Sequence, residues 1–394
     1  MTILVPGDNQ AGDAGITAAA NILEFLPFIP LELSALLAGK KTLPFLSELT
    51  GISPSHLRRG KELKLRESTE QKAIDTANKK FQKRATEQGL SDDDISAYME
   101  TAPSNVIGEP RPFADFIHGL HLPGSYELPQ TIAFAEEIDL TVIRLLNAHK
   151  GDDLDVFKQA ILECVWMEAV ASQQNDCQQM EALRAASDWG AALTVAQQFL
   201  FDMLLCLFAA LDAEFGLVYF EHFKPRPIFT FVMPKLNAKV DLGSLDNIPK
   251  RNFINQPVRR LLELTHALMV LMRDQSWPKK PVGRKLLGEA LDLMDQEVGN
   301  FFDGTRNMNA KLFADYWVKM HQTVANREPC ASPLPLLLAA LFWQNSITRR
   351  PNQKLKSFIL PDKENYTLFW KWHHQRWASE LNKGTVHWPA WLVD

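Results

Sequence analysis

The sequence predicts a mainly α protein made of one or more multi-helix bundles, with at most one short β-hairpin near 228–242. Three observations lead to this. Apolar residues recur at the i, i+3, i+4, i+7 spacing of a helical stripe along most of the 394 residues. Helix start and stop residues fall at the ends of those stripes. Two proline- and glycine-rich stretches, 101–130 and 224–257, are what interrupts the pattern, and only the second holds segments that read as strands. At 46% hydrophobic and 23% charged residues, the chain is globular and long enough to bury a core without disulfides or metal.

In chain order, Leu43–Lys64 (LPFLSELTGISPSHLRRGKELK) reads as two short helices around a turn at Gly51. Leu46, Ile52 and Leu57 are its packing positions, Ser53 its cap and Pro54 the first residue of the second helix. That helix carries His56, Arg58, Arg59, Lys61 and Lys64, and the string resembles a helix-turn-helix of the DNA-binding kind. Asp92–Asp94 follow Ser91 and cap a helix through Ile95–Glu100. Asp152–Asn175 has a stripe at Leu154, Phe157, Ile161, Leu162 and Val165, with acidic residues at the end the helix dipole favours.

Asp188–Phe215 is apolar on nearly every face and belongs at a bundle centre, with Asp202 near its edge. Its inner run, Ala191–Leu211, has the length of a membrane span. It also contains Gln197, Gln198 and Asp202 and is flanked by acidic residues, so it reads as a core helix. Ile228–Met233 and Ala238–Leu242 can pair as the hairpin. Further helices are predicted at Val258–Asp274, Gly283–Phe302, Asn309–Ala325, Leu334–Ile347 and Lys363–Asn382. Pro257, Asp303-Gly304 and Ser332-Pro333 punctuate their ends.

Charge is segregated. Net charge is −5 overall, but residues 1–86 carry +3, 87–221 carry −18 and 222–394 carry +10. With the irregular stretches, this divides the chain into a basic N-terminal region (1–90), an acidic helical region (91–221) and a basic, Trp-rich C-terminal region (222–394). Either the acidic middle matches the basic end internally, or the basic regions face a polyanion while the middle repels it. The second reading assigns phosphate contacts to Arg58, Arg59, Lys61, Lys64, Lys250, Arg251, Arg259, Lys279, Lys280, Arg349, Arg350 and Lys354.

Several chemistries are excluded. The phosphate-loop, dinucleotide and nucleophile-elbow motifs are absent, so no cofactor is expected. His118-x-x-His121 lacks a matching acidic ligand set, and no metal site is expected. The four cysteines, Cys164, Cys177, Cys206 and Cys330, have no regular spacing, and the first residues lack a signal-peptide pattern; both suit the cytoplasm.

Arg260 and His266 (RLLELTH) have the Arg-x(4–6)-His spacing. This resembles the pair of the HEPN ribonucleases, and the resemblance implies metal-independent RNA cleavage by a guanidinium and an imidazole. Arg144/His149 and Arg111/His118 fit the spacing too. Phe369–Trp391 sets five tryptophans among cations, a composition suited to base stacking, to a protein contact or to anchoring in a core. The leading expectation is a cytoplasmic nucleic-acid-associated protein, such as a regulator, mobile-element or phage-defence component. A protein–protein adaptor or homo-oligomeric subunit and the ribonuclease are the alternatives.

Overall fold

The computed structural model describes residues 29–59, 75–76, 79–80, 82–83, 86, 112–120, 128–167, 176–234, 256–306, 308–330, 333–346, 363–378 and 384–393. Regular structure among them is helical, and the β pairing present is an isolated parallel bridge between Phe223 and Val386. None of the described helices is long and apolar enough to cross a membrane. Two compact units are formed, one from Met1–Pro123 with Ile132–Phe199, the other from Gly124–Thr131 with Leu200–Asp394.

The first unit contains α1 (Ile29–Leu37), α2 (Thr42–Thr50), α3 (Pro54–Arg59), α4 (Pro112–His118), most of α5 (Pro129–Lys150), α6 (Leu154–Leu162), α7 (Asp176–Ala185) and the first part of α8 (Trp189–Tyr219). α1 packs on α2 and α4, and α2 packs on α3. Helix starts leave backbone N–H groups without partners, and here a distant carboxylate supplies one. Buried Asp139 of α5 accepts from the N–H groups of Phe113 (3.1 Å) and Ala114 (2.9 Å), in the first turn of α4. α6 is capped locally, Asp153 accepting from the Val156 N–H.

The second unit uses the same device twice. Glu214 of α8 accepts from the N–H groups of Gln130 and Thr131 and from the Thr131 hydroxyl, at 2.7–2.9 Å, closing the start of α5. Asp212, two residues earlier on α8, accepts from the N–H groups of Ile228 (2.9 Å) and Phe229 (3.0 Å). The unit continues through α9 (Pro257–Asp274), α10 (Arg284–Leu291), α11 (Asp295–Phe302), α12 (Ala310–Met320), α13 (Leu334–Ser346), α14 (Lys363–Trp377) and the terminal turn α15 (Ala390–Val393). α9 packs against α13, a π-helical turn at His321–Ala325 and a 3₁₀ turn at Ile228–Val232. Trp343 of α13 donates its indole N–H to the Phe229 carbonyl within this core.

Four expectations change. Ile228–Val232, the first arm of the expected hairpin, is a buried 3₁₀ turn, because Asp212 binds its leading N–H groups and all five side chains are buried, which a two-faced strand arm would not allow. The second arm, Ala238–Leu242, lies outside the described residues. The helix over Asp152–Asn175 ends at Leu162, where the backbone tightens into turns: the Cys164 N–H bonds to Ile161 (3.3 Å) and the Met167 N–H to Cys164 (3.0 Å). Gly283–Phe302 is two helices, broken at Asp292 (φ 55°), after which the Leu293 N–H turns back to Gly288. Asp202 is buried within α8 instead of lying at its edge.

Candidate nucleic-acid interface and a basic aromatic pocket

The string Leu43–Lys64 folds locally as its residues dictate. α2 ends on Gly51 at φ 73°, a left-handed conformation that glycine adopts without penalty, and its N–H closes the helix on Ser47. Thr50 stands at a position where an apolar residue is usual; its hydroxyl bonds back to the Leu46 carbonyl at 2.8 Å, so it enters the interior with its polar atom satisfied. Leu46 and Leu57 are buried, Ile52 is half-buried, and Ser53, Pro54 and Ser55 are exposed. Arg58 and Arg59 are the last two residues of α3. Lys61 and Lys64, which follow, lie outside the described residues, as do Lys250, Arg251, Arg349, Arg350 and Lys354.

Arg259 and Arg260 are not open to solvent phosphates in the same sense. Both bind the buried carboxylate of Glu263, Arg259 Nε at 2.8 Å and Arg260 at 3.2 Å. Arg259 also lies over the Phe302 ring, while Arg260, 8% exposed, donates to the carbonyls of Phe231, Trp391 and Leu392. His266 lies six residues on along α9, which turns it about 120° away from Arg260 around the helix. It is half-buried, its Nδ1 has no partner among the described residues, and burial lowers its pKa. The fold therefore leaves Arg260 engaged in structural contacts and sends the two side chains of the pair in different directions.

Ion pairs follow the chain. Arg144 and Lys158 pair with Glu163 and Asp155 inside the acidic segment. Arg259, Arg260, Arg273, Arg284, Arg306 and Lys319 pair with carboxylates of their own basic segment. Asp139, Asp212 and Glu214 of the acidic segment accept from backbone N–H groups at the starts of other elements. Lys279 and Lys280 are exposed and form no ion pair with a described residue.

A second set of cations, Lys224 and Arg226, was not evident in the sequence. They lie on the loop after α8, exposed and likewise without an ion pair among the described residues. This loop is clasped by the C-terminal segment. The Lys224 N–H donates to the Val386 carbonyl (2.8 Å), the Val386 N–H to His222 (3.0 Å), and the Trp388 indole to the Lys224 carbonyl (3.0 Å). Gly384 lies so close to the Phe223 backbone that a Cβ there would collide with it.

Trp388 stacks on Phe223 (4.7 Å between centroids) and packs on Trp277, whose indole N–H donates to His387. The aromatic cluster thus joins the loop bearing Lys224 and Arg226 to the segment leading into Lys279 and Lys280. Beside it is a shallow, solvent-open pocket whose walls include Phe223, Trp388, Trp370, His374, Lys224 and Arg226. Of the tryptophan-rich stretch, Trp370 and Trp388 are buried, and Trp372, Trp377 and Trp391 half-buried; their main role is anchoring.

Among the described residues no group of three His, Cys, Asp or Glu side chains could hold a metal ion. Comparison of the chain with protein-family models, curated proteins and solved structures finds no match.

Proposed function

We propose that this is a cytoplasmic nucleic-acid-associated protein that docks α3 against duplex DNA, with phosphate contacts from Arg58, Arg59, Lys61 and Lys64. The observation that carries the reading is the α2–Gly51–α3 arrangement: two short helices, a left-handed glycine between them, buried Leu46 and Leu57 fixing their angle, and an exposed start to the second helix. A helix so placed can enter a major groove while its basic end meets phosphates. The exposed cations of the C-terminal segment that form no ion pair with a described residue add a positive field of their own.

Electrophoretic mobility of labelled duplex DNA and RNA over a salt series tests this. DNA affinity should fall steeply with salt, and Arg58→Ala with Arg59→Ala should lower the slope by about one unit each. Absence of binding at low salt overturns the reading.

A further inference from the structure

We propose that the pocket at the end of α8 binds a nucleoside monophosphate, its phosphate held by Lys224 and Arg226 and its base against the aromatic wall. This site lies in the second unit and does not depend on DNA binding by α3. Four observations converge on that ligand. Lys224 and Arg226 flank Pro225 on the pocket wall, exposed and without a carboxylate partner among the described residues; two adjacent cations suit a dianion better than a single carboxylate. The pocket is also lined by two stacked pairs, Trp388 on Phe223 and Trp370 on His374 (4.6 Å, 22° between planes), which suits a planar ring.

Trp370 is buried, and its indole N–H has no acceptor among the described residues. The tryptophans that build the clasp are all satisfied: Trp277, Trp388 and Trp391 donate to His387, Lys224 and Pro278. Trp370 lines the pocket, and a nucleobase edge could supply an acceptor for this N–H where a plain hydrocarbon ring could not. Finally, Gly216 lines the same pocket without a side chain of its own, leaving the room beside Ile228 to a ligand.

Isothermal titration of the full chain with AMP, GMP, CMP and UMP, and with adenosine and inorganic phosphate as probes of each half, decides the matter. At least one monophosphate should bind tenfold or more tightly than its nucleoside and than inorganic phosphate. Lys224→Ala with Arg226→Ala, on an exposed loop, should remove most of the affinity and its salt dependence. Trp370→Phe, which keeps a ring and deletes the N–H, should weaken binding about tenfold. Arg58→Ala with Arg59→Ala should leave it unchanged. No monophosphate binding, equal binding of inorganic phosphate, or a loss that follows Arg58 and Arg59 while Lys224 and Arg226 prove indifferent would each overturn the proposal.

Discussion

Replacing Asp212 with asparagine should flatten the alkaline side of the protein's pH–stability profile. Asp212 is fully buried, and burial pushes its pKa up to about 8 against the restraining effect of its hydrogen bonds. The bonding pattern supports a protonated carboxyl. Tyr366 Oη lies 3.0 Å from Asp212 Oδ2 and 3.1 Å from the Phe208 carbonyl, two acceptors for one phenolic proton. If the carboxyl carries a proton, it donates to Tyr366 while Tyr366 donates to Phe208, and both contacts are hydrogen bonds. A folded-state value above the ordinary 3.8 means stability that is full below about 3.8 and is lost as pH rises toward about 8.

His373 works in the opposite sense. Fully buried, its pKa is driven down to about 3 by burial, so folding loses stability as pH falls below the ordinary 6.5. Each group contributes a slope of about 1.4 kcal/mol per pH unit. Between pH 4 and 6.5 the two cancel; above 6.5 Asp212 acts alone, for a loss of about 2 kcal/mol by pH 8. His266, His321 and His374, all lowered by burial, add to the acid side, so stability should peak near pH 6.5. Urea unfolding followed by tryptophan fluorescence suits the test, because eight of the ten tryptophans lie in the same unit as Asp212. Asp212→Asn should cost about 1–3 kcal/mol at pH 6, through the weakened contact to Phe229. It should also abolish the loss between 6.5 and 8 and steepen the acid limb. An alkaline loss that persists unchanged in the variant refutes a protonated Asp212.

Other substitutions probe the remaining joints. Glu263→Gln removes the charge shared by Arg259 and Arg260 and should destabilise the second unit by about 3–5 kcal/mol in chemical denaturation. Gly51→Ala forces a Cβ into a left-handed turn and should cost about 1 kcal/mol while weakening DNA binding, with the salt slope of the residual complex preserved. Gly384→Ala should push the C-terminal segment off Phe223, seen as faster proteolysis near residue 384 and loss of monophosphate binding, with DNA mobility shifts intact.

Much of the framework was legible because it is local. The Gly51 turn, the Asn309 cap that accepts from Leu312, and the closing Gly304 at φ 68° each depend on residues within a few positions. The site was not legible for the converse reason. Trp388 and Lys224 are 164 residues apart, and Glu214 and Thr131 are 83 apart, so composition could flag the tryptophans but not what they clasp. The charge segregation was visible, yet its use was not. The acidic residues flanking Ala191–Leu211 read only as evidence against a membrane span, when Asp212 and Glu214 are the groups that fasten two other chain segments to α8.

That use bears on the cations. A carboxyl group that accepts two N–H groups inside the protein has little capacity left for a lysine, and Asp212 and Glu214 are both in this position. The arginines of the C-terminal segment consequently take partners from near neighbours such as Glu263, Asp274 and Glu297. Lys224 and Lys279, next to Pro225 and Pro278, are exposed and form no ion pair with a described residue. The positive field there results from how the acidic helices are closed: neutralising Glu214 should loosen the start of α5 and leave the salt dependence of anion binding at Lys224 unchanged.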